Sequence, residues 1–241
     1  MGPADSGLVS FLAAALDERE SLPRLLEELR ASAAGLGVSY EIVVVDDGSR
    51  DGTGEWLEAE ASRSPDLRVV RHPARRGLSE ALRSALERSR GAVLVTLDAD
   101  LQHDPADAPR LLGALAGADL ACGVRVPRND PWRKRAASRF ANWFRRIVLR
   151  DDFRDVGCSF KAWRREVAEA IPKFPRFHRY IPLLARAAGF RVVEVPVGHR
   201  PRLHGRSHFG NVSRALVALR DLPRVRRMLS RGAAPPTRPS R

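Results

Sequence analysis

Cysteine is nearly absent: Cys122 and Cys158 are the only two in 241 residues. Their separation matches no zinc-ligand spacing, and two thiols make no disulfide framework, so both are expected as reduced thiols of a cytosolic protein. The chain is 44% hydrophobic but has no apolar run near the length of about 18 residues that spans a bilayer, so no transmembrane helix is expected. Met1 to Gly7 carries no basic stretch and leads into no signal-peptide core. The glycine signatures of dinucleotide and P-loop sites, G-x-G-x-x-G and G-x-x-x-x-G-K-[ST], do not follow the first strand, and no G-x-S-x-G nucleophile elbow occurs. No helix-turn-helix, zinc-finger or RNP pattern is present, which speaks against nucleic acid as a partner.

Lysine is also scarce, with only Lys134, Lys161 and Lys173, so the net charge of +13 is carried by arginine. Codon bias accounts for arginine over lysine but not for its clustering. Nine basic residues lie between Arg125 and Arg150 against the single acid Asp130, and eleven arginines lie between Arg200 and Arg241 against Asp221. The first hundred residues hold most of the acids. Such asymmetry points to a polyanionic partner: anionic lipid, a phosphorylated substrate or nucleic acid.

What is present is an alternation of strand and helix signals over the first 125 residues. Strands are expected at 8–14, 41–45, 67–71, 92–97 and 119–123, with helices at 21–33, 52–63, 79–90 and near 106–116. In the first helix Leu22, Leu25, Leu26 and Leu29 share a face and Pro23 sits in the first turn, while Gly91 is expected to stop the third helix. Alternation of this kind implies right-handed crossovers and a mostly parallel sheet with helices on both faces. The second half changes character. A basic amphipathic helix is expected at 131–149, an irregular or strand segment at 155–163, and short helices at 166–170 and 180–188. A strand at 191–197, a polar loop at 199–210 and a last helix at 211–229 complete it.

Two acidic motifs close apolar strands. Asp46-Asp47-Gly48-Ser49 follows the second strand and Asp98-Ala99-Asp100-Leu101-Gln102-His103 follows Ala92 to Leu97. Ligands of parallel α/β sheets bind beyond the carboxyl ends of the strands. Two carboxylates one residue apart on an extended segment face the same way, so they repel and are costly to desolvate. A divalent cation such as Mg²⁺ or Mn²⁺ resolves both costs and commonly also takes phosphate oxygens. The pairing suits a nucleotide-diphosphate ligand. His103 is expected to cap the following helix, and His72 and His178 to be structural or solvated.

These motifs, in order, resemble a known family. Asp17-Glu18-Arg19-Glu20 follows the first strand, then come Val43-Val44-Val45-Asp46-Asp47-Gly48-Ser49-Arg50-Asp51-Gly52-Thr53, Gly77-Leu78, Leu97 to His103 and Gly123-Val124-Arg125. With the later Arg202-Leu203-His204-Gly205-Arg206-Ser207-His208, the pattern is similar to the family 2 glycosyltransferases of GT-A fold, in the dolichol- or polyprenyl-phosphate mannosyltransferase branch, over residues 8–210. The resemblance implies an α/β three-layer sandwich with a mostly parallel central sheet. It also implies a single domain over 1–230, with a nucleotide-binding half at 8–125, an acceptor-binding half at 126–230 and a disordered basic tail at 231–241.

The same resemblance implies the roles of particular residues. Ala14, Leu16, Glu18, Val45, Asp46, Asp47, Asp98, Ala99, Gln102 and His208 would line the donor. Asp98, Asp100 and Gln102 would surround Mg²⁺ or Mn²⁺. Asp100, Arg125 and Arg202 would act in catalysis, and Arg125, Arg139 and Ser207 would hold the acceptor phosphate. The chain departs from the family in Ala14-Ala15-Leu16-Asp17-Glu18, which stands where the family reads P-x-Y-N-E and so loses an aromatic platform for the base. Lys161 stands where arginine is common, and no counterpart of the family's transmembrane tail is expected.

The implied reaction is an inverting transfer of a mannose- or glucose-like sugar from a nucleotide diphosphate to a polyprenyl phosphate. An alcohol acceptor needs a general base, whereas a phosphate monoester is already ionised near neutral pH and needs cationic positioning instead. Two alternatives stand beside this one: a transferase with a hydroxyl acceptor, for which Asp155 is the first candidate base, and a degenerate transferase acting as a basic binding module. Val212, Leu216, Leu219, Val225 and Leu229 in the last helix, with arginines between them, are expected to lie on an anionic membrane or a membrane partner. A cytoplasmic, peripheral location follows from that reading.

Overall fold

The structure is a computed structural model and describes residues 7–126, 145–201 and 221–229. The chain forms β1 (Val9–Ala15), α1 (Leu22–Leu36), β2 (Tyr40–Asp46), α2 (Thr53–Ala61), β3 (Leu67–Arg71), α3 (Leu78–Arg88) and β4 (Val93–Asp98). A 3-10 turn (Pro105–Asp107) runs into α4 (Ala108–Ala114), followed by β5 (Leu120–Arg125), β6 (Lys161–Arg164), α5 (Arg165–Ala170), α6 (Ile181–Ala187) and β7 (Val192–Val197). Residues 145–149 and 221–229 are also helical.

One seven-stranded sheet has the order β3-β2-β1-β4-β6-β5-β7. Every pairing is parallel except those of β6, which runs antiparallel to both β4 and β5. The expected mostly parallel sheet is therefore present. The direction of β6 was not foreseen, because a four-residue Lys-Ala-Trp-Arg strand carries no periodicity that reports it.

Alternation along the strands sorts the core into two layers. Val9, Phe11, Ala13, Ile42, Val44, Val93, Val95 and Leu97 pack with Leu22, Leu25, Leu26 and Leu29 of α1, Leu57 of α2 and Leu111 of α4. Leu12, Val43, Val45 and Leu94 face the other way, onto Leu82 and Leu86 of α3, Val167 of α5 and Leu184 of α6. Both faces of the central strands are thus covered, as their near-continuous apolar character requires.

Two expectations need correction. Gly91 does not stop α3, which ends at Arg88 with Ser89 as its C-cap. A Cβ at Gly91 would lie 2.5 Å from Ser10 Oγ and 2.6 Å from the Leu8 carbonyl, so glycine is required there for close approach to β1. In the last helix, Leu222 and Val225 are buried and Leu229 packs on the core, while Arg224, Arg226 and Arg227 are exposed. Over 221–229 the apolar stripe is therefore a core contact and only the basic face is available to a surface. Val212, Leu216 and Leu219 lie outside the described residues.

At the amino end of the sheet a buried carboxylate ties the first strands together. Glu41 accepts from Ser10 Oγ (2.7 Å), the Arg90 amide (2.5 Å) and Arg90 Nε (3.2 Å), and pairs with Arg68 Nε at 3.1 Å. Burial pushes its pKa up, but the Arg90 amide, the Ser10 hydroxyl and the Arg90 guanidinium more than reverse this, so the net shift is downward from 4.5. A lowered folded-state pKa gives stability that is present above the unfolded value and lost as pH falls through the folded one. Glu41→Gln is expected to cost about 1–3 kcal/mol in urea unfolding at pH 7. The difference between variant and wild type should shrink as the pH is lowered below the ordinary glutamate range.

Candidate functional site

β1 lies between β2 and β4, so the sheet switches direction of growth at its carboxyl end. The register sets Ala15 beside Asp46 and Ala14 beside Asp98. The two acidic motifs therefore flank the same strand end, their backbones about 10 Å apart at ordinary strand spacing. This is the crevice in which parallel α/β sheets bind ligands.

On the β2 side the carboxylates are held by protein donors. Asp47 is buried and accepts from His72 Nδ1 and the Arg76 amide on Oδ1, and from the Gly77 amide on Oδ2, each at 2.8 Å. Three of the roughly four lone-pair sites of the carboxylate are thereby filled. Asp47 thus moulds the loop ahead of α3, with His72 braced by Ser84 Oγ at 2.9 Å. Asp46 turns to the opposite face, where Oδ1 accepts from the Ser49 amide (3.0 Å) and Oδ2 lies 3.6 Å from Arg71 Nε. Gly48, at φ 79°, lets this turn touch the next loop: a Cβ there would sit 2.6 Å from the Ala74 carbonyl carbon and the Arg75 nitrogen.

The segment after β1 is joined to the same turn. The Asp17 amide donates to Ser49 Oγ (2.9 Å), the Arg50 amide to Asp17 Oδ1 (2.8 Å) and the Glu18 amide to Thr53 Oγ1 (3.1 Å). Glu18 itself is buried and accepts from Ser21 Oγ at 3.0 Å. Ala14 ends in the sheet beside Val45 and Asp98. The side chains of Val45 and Ala99 are core, so each can meet a ligand only through its backbone. Leu16 is half-buried at the end of β1.

On the β4 side the strand ends at Asp98, and Ala99 and Asp100 lie in a bend with Leu101 at φ 59°. Strand alternation therefore does not apply to Asp100, which corrects the expectation drawn from its spacing. Asp98 Oδ2 accepts from Ser159 Oγ at 2.6 Å, and Asp100 Oδ1 accepts from the Gln102 amide at 3.2 Å. Among the described residues no three His, Cys, Asp or Glu side chains converge as a metal cage. The carboxylates of Asp98 and Asp100 and the amide oxygen of Gln102 are hard donors that suit a hard divalent cation, with the remaining positions left to a ligand's oxygens.

His103 is not a helix cap. Asp104 takes that place, accepting from the Ala106 amide at 3.0 Å. His103 is instead buried, with Nε2 3.0 Å from Ser159 Oγ and its ring 5.5 Å from Phe160. Burial, followed by the positive charge of Arg125, lowers its pKa to about 3, so it is neutral at physiological pH. His72 and His178 are structural, as expected, the latter meeting Ser79 Oγ at 2.8 Å.

Arg125 closes β5 and reaches the same neighbourhood. Asp155 holds it bidentately, Nε to Oδ2 at 2.8 Å and one terminal nitrogen to Oδ1 at 2.9 Å. Burial works against its charge, but the Asp155 hydrogen bonds and charge prevail and raise its pKa. The guanidinium is fixed in orientation, and the Arg125 side chain as a whole keeps a quarter of its surface exposed (25%). The thiols play no nucleophilic part: burial pushes Cys122 up to about 12 and also raises Cys158. Arg139, Arg202, Ser207 and His208 lie outside the described residues.

Two contributors escaped the sequence reading. Ser159 belongs to the segment before β6, and no spacing rule links it to Asp98 across sixty-one positions of chain. Arg200 follows β7; its amide donates to the Gln102 carbonyl (2.8 Å) and its guanidinium pairs with Glu28 (2.7 Å) and Asp104 (2.6 Å). The only hint of it in the sequence was the surplus of arginine after position 199.

The model of glycosyl transferase family 2 matches residues 10–171. The undecaprenyl-phosphate 4-deoxy-4-formamido-L-arabinose transferase of Edwardsiella ictaluri is 37% identical over 205 residues, covering 84% of this chain and 63% of that protein. The Pseudomonas aeruginosa protein of the same name is 36% identical over 224 residues, covering 92% of this chain and 66% of that one. The chain thus spans just under two thirds of the length of these curated relatives. Among solved structures, glucosyl-3-phosphoglycerate synthase from Mycobacterium tuberculosis, in complex with Mn²⁺, UDP-glucose and phosphoglyceric acid, superposes with a TM-score of 0.66. It is 21% identical and covers 97% of this chain and 82% of that one. A mannosyltransferase from Pyrobaculum calidifontis, in complex with GDP-Man and Mn²⁺, gives 0.61 at 19% identity, over 96% and 75%. At such identities the likeness shows the fold, here of GT-A type. With its matched segment covering both acidic strand ends, the chain belongs to glycosyl transferase family 2.

Proposed function

We propose that this chain transfers a sugar from a nucleotide-diphosphate donor to a polyprenyl-type lipid phosphate, with inversion at the anomeric carbon. The observation that carries this reading is the pair of acidic strand ends in register on either side of β1, with Arg125 at the end of β5. The names of the curated relatives, which act on undecaprenyl phosphate, support the acceptor class. The sugar and the base are properties of pocket shape, and the complexes of UDP-glucose and GDP-Man with fold relatives span both bases.

Asp98, Asp100 and Gln102 would hold Mg²⁺ or Mn²⁺, as the Mn²⁺ complexes of fold relatives suggest. A cation there supplies charge compensation for the leaving diphosphate. The chain's own groups do the rest. The loop moulded by Asp47, together with Glu18, would wall the nucleoside. Arg125, oriented by Asp155, would fix an acceptor phosphate oxygen in line with the anomeric carbon. That oxygen is already ionised, so no side chain need remove a proton.

Asp155 bears on the alternative hydroxyl acceptor. It is buried and both of its oxygens are engaged by Arg125, an arrangement that suits an orienting group better than a general base. The exposed arginines of 221–229 would meet an anionic membrane surface. No helix among the described residues is long and apolar enough to cross a membrane.

Three outcomes test the reading. A panel of radiolabelled nucleotide sugars with a short polyprenyl phosphate should yield label in the organic phase from one donor, and only with Mg²⁺ or Mn²⁺. Metal-dependent nucleotide release without a lipid product would point to another acceptor. Asp98→Ala and Asp100→Ala should each lower transfer by about 100-fold or more, the scale of losing a transition-state charge stabiliser. Asp155→Asn should raise KM for the lipid phosphate more than it lowers kcat; a collapse of kcat at unchanged KM would favour the hydroxyl-acceptor reading.

A further inference from the structure

Ser159 and His103 form a hydrogen-bonded relay that ends on Asp98. Ser159 Oγ stands 2.6 Å from Asp98 Oδ2 and 3.0 Å from His103 Nε2. A carboxylate accepts only, and a serine hydroxyl has one proton to give. The short separation is that of an O–H donating to an ionised oxygen. The serine proton therefore points at Asp98, and the oxygen that remains must accept from His103 Nε2–H. The chemistry fixes both the direction of the relay and the protonated ring nitrogen: His103 Nε2–H to Ser159 Oγ–H to Asp98 Oδ2.

The relay is braced at each link. The imidazole is buried between Phe160 (5.5 Å) and His199 (6.0 Å). The Ser159 carbonyl accepts from Thr96 Oγ1 at 2.7 Å, and Thr96 lies on β4 two residues before Asp98. The serine backbone is thus pinned to the strand that presents the carboxylate. Among the described residues the buried Nδ1 of His103 has no hydrogen-bond partner, so the ring's one satisfied polar contact is the one that serves the relay.

We infer that Ser159 and His103 are positioning residues that lock Asp98 Oδ2 and thereby set the side chain in the orientation in which it meets a divalent cation. The inference rests on the metal role given above to Asp98. Neither residue touches substrate; each acts through the carboxylate. Groups that orient a metal-binding side chain typically change metal affinity by about 10–100-fold when removed.

The test is Mn²⁺ binding to the full chain with a nucleoside diphosphate present, read by the electron paramagnetic resonance signal of free Mn²⁺. Thermal unfolding of each variant is monitored alongside. Ser159→Ala is expected to weaken Mn²⁺ binding by about 10–100-fold, while Ser159→Thr, which keeps the hydroxyl, stays close to wild type. His103→Gln retains a donor near the Nε2 position and should bind better than His103→Leu. Because the two residues act as one unit, Ser159→Ala with His103→Leu should bind no worse than Ser159→Ala alone. Wild-type affinity in a folded Ser159→Ala chain would overturn the relay and leave the metal role of Asp98 intact. A wild-type chain that binds no Mn²⁺ would overturn that role and the relay with it.

Discussion

Carboxylates gathered at the end of a buried sheet are expensive unless each is given a donor or a counter-charge, and the architecture around β1 answers that cost. Glu18, Asp46, Asp47, Asp98 and Asp100 all lie near one strand end. The Ser49, Arg76, Gly77 and Gln102 amides, the Ser21 and Ser159 hydroxyls, His72 and Arg71 are all directed at them. Apart from Arg71 at the end of β3, those donors come from five separate loops. The loops that define the crevice are therefore shaped by the acids they surround.

The two sides of β1 meet the cost differently. On the β2 side the backbone does most of the work, and Asp47 becomes the keystone of a rigid loop. On the β4 side Asp98 takes a side-chain donor, Ser159, and Asp100 accepts from the Gln102 amide just beyond the left-handed residue Leu101. In the proposed reading, a cation with a diphosphate would complete the second arrangement without dismantling the first. The Arg125–Asp155 pair extends the same logic to the end of β5, where a positive group is oriented by a buried negative one. Arg200, after β7, holds the Gln102 carbonyl, Glu28 and Asp104 together.

Much of this was legible in the sequence because it rests on local pattern. The strands before Asp46 and Asp98 are continuous apolar runs, and α1 shows its buried face as Leu22, Leu25, Leu26 and Leu29. Asp155 stood out in the sequence as a candidate base, and the structure makes it the bidentate partner of Arg125. What was not legible depends on contacts distant in the chain. The direction of β6, the Ser159 hydroxyl against Asp98 and the Arg200 latch arise only when remote segments meet. His103 was misjudged because its position ahead of a helix suggests a cap, whereas burial against Phe160 decides its role. The apolar side of the last helix looked suited to lipid because periodicity reports a stripe without saying what covers it; over 221–229 the cover is the core.

The central claim is that the end of β4 holds a divalent cation against the donor diphosphate while the end of β2 shapes the nucleoside pocket. Crystals grown with Mn²⁺ and a nucleoside diphosphate, with anomalous diffraction recorded at the manganese edge, test it most directly. The account predicts one strong anomalous peak bridging Asp98 or Asp100 and the diphosphate, with the nucleoside against the loop that Asp47 holds. A peak away from β4, or a diphosphate bound in that crevice with no metal beside either carboxylate, would contradict it.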